Sequence, residues 1–128
     1  MTITIIGIGL LGGSYALSLR DKYPKMHFVG VDASEIHGRL AVAKGIVDEV
    51  LPLEIAVPKS DLVVLAVPVN YIVELLPQVL DLVSEKGTVV DLGSTKRLIC
   101  EAADTHVNRG RFVAAHPMAG TENSGPSA

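Results

Sequence analysis

The sequence predicts an α/β fold, with a doubly wound and mainly parallel sheet and helices on both of its faces. Short apolar runs alternate with stretches of helical periodicity, which is typical of repeated strand–helix units. The run Leu62–Val67 is apolar without alternation, as expected for a central strand that is covered on both faces. The segment Ile3–Gly13 joins a β-branched run to three spaced glycines and then to a helical pattern.

Gly7, Gly9 and Gly12 have the G-x-G-x-x-G spacing with which a strand, a turn and a helix bring backbone against a pyrophosphate. The first glycine permits a tight turn, the second leaves room for the phosphate, and the third lets the helix pack close to its strand. The start of the helix then offers unpaired N–H groups and partial positive charge to an anion. Glycine turns are common, so it is the surrounding sequence that favours a Rossmann-type dinucleotide-binding fold.

Asp32 ends the second predicted strand, twenty residues beyond the last of these glycines. A carboxylate at this place can accept hydrogen bonds from the adenosine ribose of NAD, and it would repel the extra phosphate of NADP. Asp32 could instead be a turn or N-cap residue, a role that Ser34 could share. Residues 33–35 contain no cation, and the first arginine after Asp32 is Arg39, so the sequence favours NAD.

Length and composition indicate one ordinary soluble globular domain. The chain has 128 residues, 48% of them apolar, and a net charge of −3, which gives no reason to expect nucleic acid or an anionic membrane as a partner. The single cysteine, Cys100, fits a reducing compartment. No apolar stretch is long enough to span a bilayer, and no grouping of residues has metal-ligand spacing. We therefore expect a cytoplasmic protein that binds no metal.

The first half of the chain contains three predicted strands and two predicted helices. The strands are Thr2–Ile6, His27–Val31 and Val47–Leu51, and the helices are Leu10–Lys22 and Glu35–Lys44. Pro24 closes the first helix, because the residue before a proline is pushed out of the α region. Gly45 is suited to end the second helix at its C′ position.

The second half is predicted to continue the same alternation. Its strands are Leu62–Val67, Gly87–Leu92 and Arg111–Ala115, and its helical stretches are Ile72–Val83 and Thr95–Val107. Pro68 stops the central strand. Pro77 is expected to break the apolar helical stretch into two helices, since proline removes a backbone hydrogen bond.

Ligands bind outside the carboxyl ends of the strands in open parallel sheets, and three segments fall there. Val67 and Pro68 follow the central strand and would border the cofactor. Ser94 follows the next strand, where a helix N-cap is the simpler interpretation and is compatible with touching a ligand. His116 follows the last strand and can accept a proton near neutral pH, as oxidation of a hydroxyl requires, although a structural role is equally open. The other histidines, His27, His37 and His106, fall in predicted strand or helix positions away from this edge, so structural or solvent-facing roles are expected for them.

Three motifs together resemble the prephenate and arogenate dehydrogenases of tyrosine biosynthesis. They are GIGLLGGS at Gly7–Ser14, DLGSTK at Asp91–Lys96 and HPMAGTENSG at His116–Gly125. The resemblance runs over essentially the whole chain. Many dehydrogenases share the first motif, whereas the last is highly specific.

The resemblance implies site residues by position. His116 matches the catalytic histidine that binds the ring hydroxyl of the substrate and takes its proton. Ser94 matches the serine that orients this histidine and contacts the nicotinamide and the substrate. Glu122 matches an acid that gates the mouth of the active site. The cofactor contacts are expected from Gly7, Ile8, Gly9, Leu10, Leu11, Gly12, Asp32, Ala33, Ser34, Val67, Pro68 and Ser94.

The resemblance also implies the reaction, which is an NAD-dependent oxidative decarboxylation of prephenate to 4-hydroxyphenylpyruvate or of arogenate to tyrosine. Members of the family continue into a helical C-terminal domain that supplies dimer contacts and the cations that hold the substrate. That domain is absent here, so residues 1–128 are expected to form the cofactor domain, with the last few leading toward it. We expect the chain alone to bind NAD with little or no turnover, and its full-length parent to be a homodimer.

Two other functions stay open at this point. One is a different small-substrate dehydrogenase of the hydroxyacid or imine type, which would not need the histidine motif. The other is a non-catalytic NAD-binding module. The presence of His116 together with Ser94 favours the enzyme, because a sensor has no reason to carry both.

Overall fold

Six parallel strands form one sheet in the computed structural model of the protein, which describes residues 1–92 and 96–113. The strands are β1 Thr2–Ile6, β2 His27–Val31, β3 Glu49–Val50, β4 Leu62–Leu65, β5 Thr88–Asp91 and β6 Phe112–Val113. The helices are α1 Leu10–Lys22, α2 Glu35–Ala43, α3 Leu53–Ala56, α4 Val69–Leu82 and α5 Lys96–Asp104. Single 3₁₀ turns lie at Val57–Lys59 and Arg109–Arg111.

The strand order is β3-β2-β1-β4-β5-β6, which places the first strand in the middle of the sheet. Ile6, the last residue of β1, pairs with Val31 of β2 on one side and Leu65 of β4 on the other. The chain thus winds outward in one direction from β1 to β3 and in the other from β4 to β6. Ligands bind at the carboxyl edge beside such a reversal of strand order. The predicted doubly wound fold is confirmed.

Two apolar layers cover the sheet, one on each face. Val63 and Leu65 of β4 belong to the layer that includes α4 and α5, whereas Val64 between them belongs to the layer that includes α1 and α2. All three side chains are fully buried. This explains why the β4 sequence is apolar without alternation.

Pro77 lies inside α4, which runs unbroken from Val69 to Leu82, so the predicted break into two helices is wrong. Proline removes one backbone hydrogen bond and crowds the preceding turn, at a cost of about 3 kcal/mol. Burial of a large apolar side chain contributes about 1.5–3 kcal/mol. Four such side chains anchor α4 to the core on both sides of the proline and outweigh its cost: Ile72, Leu76, Val79 and Leu80.

Other differences from the predicted elements are small. The short helix α3 and the turn after it were not predicted, because four residues are too few to show helical periodicity. Strand β4 ends at Leu65 and not at Val67, since its partner β1 ends at Ile6, where the chain turns at Gly7. The predicted ends at Thr95 and Ala115 lie outside the described residues.

Candidate functional site

Gly7 forms the turn at the carboxyl end of β1. Its φ of +89° lies in the left-handed region, and its N–H donates to the Val31 carbonyl at 2.7 Å. A Cβ at this position would lie 2.6 Å from Val67 Cγ1 and 2.9 Å from the Ala66 carbonyl oxygen. Backbone conformation and space both demand glycine here, which confirms the predicted tight turn.

Gly12 allows α1 to pack against this turn. A Cβ on Gly12 would lie 1.8 Å from the carbonyl oxygen of Gly7, far inside any contact distance. The predicted close packing of helix and strand is confirmed.

Gly9 differs from the other two glycines of the motif. Its φ is −76°, which any residue adopts, and a built Cβ would meet His37 Cε1 at 4.0 Å as its nearest neighbour. Within the described residues, no atom of the fold requires glycine at this position. The open space in front of it has the character of a cradle for a ligand group.

The start of α1 presents backbone to that space. Gly9 is the N-cap and gives no side-chain hydrogen bond to the helix, and the first turn contains no acidic residue. The first N–H groups of a helix carry partial positive charge and point outward along its axis. The backbone of Leu10 and Leu11 begins this helix. This helix end is suited to hold an anion.

Asp32 connects the two loops that border the site. Its Oδ2 accepts from Ile8 N at 2.9 Å, and its Oδ1 accepts from Ser34 N at 2.8 Å. Ser34 in turn caps α2, since its Oγ accepts from His37 N at 3.3 Å. A carboxylate offers about four acceptor positions, so two backbone bonds leave capacity for a ribose hydroxyl. The turn role of Asp32 and the N-cap role of Ser34 are therefore confirmed, and the ribose role of Asp32 stays a prediction.

A cavity of about 600 Å³ opens at this edge, within the usual range for small-molecule sites. It is lined by the ends of β1 and β2, by the segments that follow β3 and β4, and by the start of α4. Five residues expected to contact the cofactor are in its wall: Gly7, Asp32, Ala33, Val67 and Pro68. Ile8 instead buries its side chain in the core beneath α1. The catalytic candidates Ser94 and His116 and the gating candidate Glu122 lie outside the described residues.

Sequence reasoning missed one wall of the cavity. Residues 51–53 follow β3, and Tyr71, Glu74 and Leu75 lie on one face of the first turns of α4. Their positions after β3 and β4 are a signal in the sequence, because the carboxyl ends of neighbouring parallel strands meet at one edge of the sheet. This signal predicts the cavity wall only if it is known that β3 lies beside β2 and that β4 lies beside β1.

His37 was expected to lie away from this edge, and that expectation is wrong. It belongs to the first turn of α2, and its Nδ1 lies 3.5 Å from Asp32 Oδ2 with the side chain 53% exposed. His27 and His106 are remote from the cavity wall and pair with carboxylates, Glu49 at 2.5 Å and Asp81 at 2.6 Å. Structural roles fit these two histidines.

A carboxylate with a strongly lowered pKa lies at the opposite edge of the sheet. Arg20 Nη2 donates to Asp48 Oδ1 at 2.6 Å, and this bond lowers the pKa of Asp48 to about 2. The N–H of Phe28 donates to the other carboxylate oxygen at 2.8 Å and acts in the same direction. Residues 1–92 and 96–113 include no group of three or more metal-binding side chains and no helix long and apolar enough to cross a membrane.

Comparison with known proteins connects this geometry to one family. A family model described as "Prephenate dehydrogenase, nucleotide-binding domain" matches residues 15–128. The chain is 36% identical over 126 residues to a prephenate dehydrogenase of Lactococcus lactis, which covers 96% of this chain and 35% of that protein.

Two solved structures have the same fold. One is the prephenate dehydrogenase of Aquifex aeolicus in complex with hydroxyphenyl propionate and NAD⁺, with a TM-score of 0.76 and 34% identity over 99% of this chain and 45% of that one. The other is the arogenate dehydrogenase of Synechocystis, with a TM-score of 0.82 and 29% identity over 96% of this chain and 43% of that one. The chain spans less than half the length of each relative. It belongs to the family of prephenate dehydrogenase nucleotide-binding domains.

Proposed function

We propose that this chain is the NAD-binding part of a dehydrogenase that oxidatively decarboxylates prephenate or arogenate. One observation carries the proposal: the Gly7 turn, the start of α1 and Asp32 meet beside a cavity where the strand order reverses. That is where open α/β sheets bind dinucleotides. Family membership and the His116 motif supply the reaction.

The residues present fit the cofactor. The pyrophosphate would lie over Gly9 and accept from backbone N–H groups at the start of α1. Asp32 would bind the adenosine ribose, and apolar residues of the cavity wall such as Pro52 would pack against the adenine. When bound, NAD⁺ accepts the hydride that leaves the substrate ring.

The proton chemistry belongs to the C-terminal motif. His116 would accept the proton of the ring hydroxyl, and Ser94 would orient the imidazole and touch the substrate. Glu122 would gate the mouth of the site. These three roles rest on the match of DLGSTK and HPMAGTENSG to the family motifs. Loss of CO₂ then makes the ring aromatic, which drives the reaction forward.

We further propose that the activity needs more protein than these 128 residues. The relatives are more than twice as long, and the family's helical domain would supply the cations for the substrate carboxylates and the contacts of a homodimer. A cytoplasmic location fits the single cysteine and the metabolic reaction.

Calorimetric titration with NAD⁺ and NADP⁺ tests the cofactor proposal on the chain itself. We expect NAD⁺ to bind at least about fivefold more tightly, because a carboxylate about 4 Å from a phosphate costs roughly 1 kcal/mol with the dielectric constant of water and roughly 4 kcal/mol near a protein surface. Asp32→Asn should weaken NAD⁺ binding and narrow the gap between the two cofactors. A urea unfolding curve of the same variant checks that the loops held by Asp32 remain folded.

Two results would contradict the proposal. One is a wild-type chain that binds neither cofactor, and the other is tighter binding of NADP⁺ than of NAD⁺ at neutral pH. The first result would rule out a dinucleotide site. The second would rule out the ribose role of Asp32 but not the dinucleotide site itself.

A further inference from the structure

Two carboxylates lie in the wall of the cavity. Among the described residues that line it, Asp32 and Glu74 are the only ones with a charged side chain, and none is a cation. They belong to different elements, since Asp32 follows β2 and Glu74 lies near the start of α4. The wall therefore offers hydrogen-bond acceptors at two separate places, which suits a ligand that donates at both.

The carboxylate of Glu74 is not used by the fold. In the described parts of the chain it makes no hydrogen bond or ion pair, and its side chain is exposed. Asp32 differs, because its two oxygens already accept from Ile8 N and Ser34 N. Both oxygens of Glu74 are thus available to a group that enters the cavity.

The rest of this wall suits a purine base. Apolar side chains come from residues 51–53 after β3 and from Leu75, which neighbours Glu74 on α4. Tyr71, three residues before Glu74 and therefore on the same face of the helix, adds an aromatic ring. Apolar walls bind the flat base of a nucleotide without distinguishing one purine from another, and a few polar groups then give orientation and specificity.

We propose that Glu74 accepts a hydrogen bond from the 6-amino group of adenine and so selects an adenine dinucleotide, an inference that rests on the proposed function. The adenosine part of NAD donates from its ribose hydroxyls and from this amino group. The hydroxyls belong to Asp32 in the proposed function, which leaves the amino group for the second carboxylate. An ionised carboxylate only accepts hydrogen bonds, so it binds a 6-amino group and repels a 6-oxo group.

The test compares NAD⁺ with its analogue that carries unsubstituted purine in place of adenine, which lacks only the amino group. Glu74→Ala removes the acceptor from the cavity wall. Glu54→Ala is the matched control, because it makes the same change in α3, next to Leu53 of the wall but outside the lining. Calorimetric titration of the wild type and both variants gives the ratio of the two dissociation constants, and circular dichroism checks the folds.

A hydrogen bond to a charged group usually changes binding by about tenfold or more, and the exposure of Glu74 lowers this effect. We expect the purine analogue to bind the wild type at least about fivefold more weakly than NAD⁺ does. Glu54→Ala should keep this ratio of dissociation constants, and Glu74→Ala should lower it at least about fivefold.

The role of Glu74 is overturned if Glu74→Ala keeps the wild-type ratio, since the carboxylate would then contact a part of the cofactor other than the amino group, or none. It is also overturned if Glu54→Ala lowers the ratio to the same extent, or if the wild type binds both dinucleotides equally well. Each of these results leaves NAD⁺ binding, and with it the proposed function, intact. Failure of the wild type to bind NAD⁺ would instead rule out the proposed function and the role of Glu74 together.

Discussion

Gly12→Ala should destabilise this protein by about 3 kcal/mol or more, at or above the upper end of the usual cost of overpacking. The new Cβ would lie 1.8 Å from the Gly7 carbonyl oxygen and 3.2 Å from Ala66 Cβ. To reach an ordinary contact, α1 and the turn must separate by more than about 1 Å, and packed interiors do not yield by that much without loss of contacts. The turn cannot give way, because Gly7 is itself held against Val67 and Ala66.

Gly9→Ala is the matched control, since it makes the same chemical change three residues earlier. Its Cβ would meet only His37 Cε1 at 4.0 Å, and the backbone conformation suits any residue. We expect its free energy of unfolding to fall by no more than about 1 kcal/mol, because Ala caps a helix less well than Gly but its Cβ meets no clash here. Gly9→Val should nevertheless abolish NAD⁺ binding with a native-like circular dichroism spectrum, because its side chain fills the space over the helix start.

Urea unfolding followed by far-ultraviolet circular dichroism measures all three variants, and calorimetry measures NAD⁺ binding. The prediction is refuted if the urea midpoint of Gly12→Ala equals that of the wild type, since α1 would then not pack closely against the Gly7 turn. It is also refuted if Gly9→Ala is as destabilising as Gly12→Ala, or if Gly9→Val binds NAD⁺ normally. The first of these two results would mean that the fold requires Gly9, and the second would mean that the cofactor does not.

Two further predictions concern ionisable groups. The pKa of Asp48 is lowered to about 2 in the folded state, so its bond to Arg20 stabilises the protein above the unfolded pKa of about 3.9 and is lost as pH falls toward 2. Asp48→Asn should therefore cost about 1 kcal/mol at neutral pH, allowing for solvent screening, and almost nothing near pH 2 in urea titrations. In the complete dehydrogenase proposed above, His116→Asn should lower kcat about 10²–10⁴-fold with NAD⁺ affinity kept and should remove the ascending limb of the kcat–pH profile, whereas Ser94→Ala should do less damage. A histidine variant with near-normal kcat would return His116 to a structural role.

Most of the fold could be predicted from local signals in the sequence. The bounds of β1, α1 and β2 agree with the predicted ones, because β-branched runs, glycines and Pro24 act within a few residues of where they stand. The prediction at Pro77 failed for the opposite reason. Burial of the apolar face of α4 against strands far along the chain overrode a strong local preference.

In the candidate site too, features set by local sequence could be predicted, whereas features set by distant packing could not. The spacing of the glycines predicted the turn at Gly7 and the close packing at Gly12, since both depend on the chain's own backbone. The position of His37 could not be predicted, because it depends on where the first turn of α2 falls beside the Gly9 loop. Asp32 was assigned either a ribose or a turn role. The structure gives it bonds to both loops and leaves acceptor capacity free.

The central position of β1 has a consequence for how this chain completes its folding. β1 is synthesised first and can pair with β2 early, but its other edge stays open until β4 has been made. An open strand edge is a site of aggregation, and pairing between distant segments is slow. Once β4 pairs with β1, Thr2 N donates to Asp61 Oδ2 at 2.8 Å, which adds a hydrogen bond between the β1–β3 part and the β4–β6 part of the sheet. Residues of both parts line the cavity. A nucleotide bound there would therefore hold the two parts together and favour the completed fold by mass action.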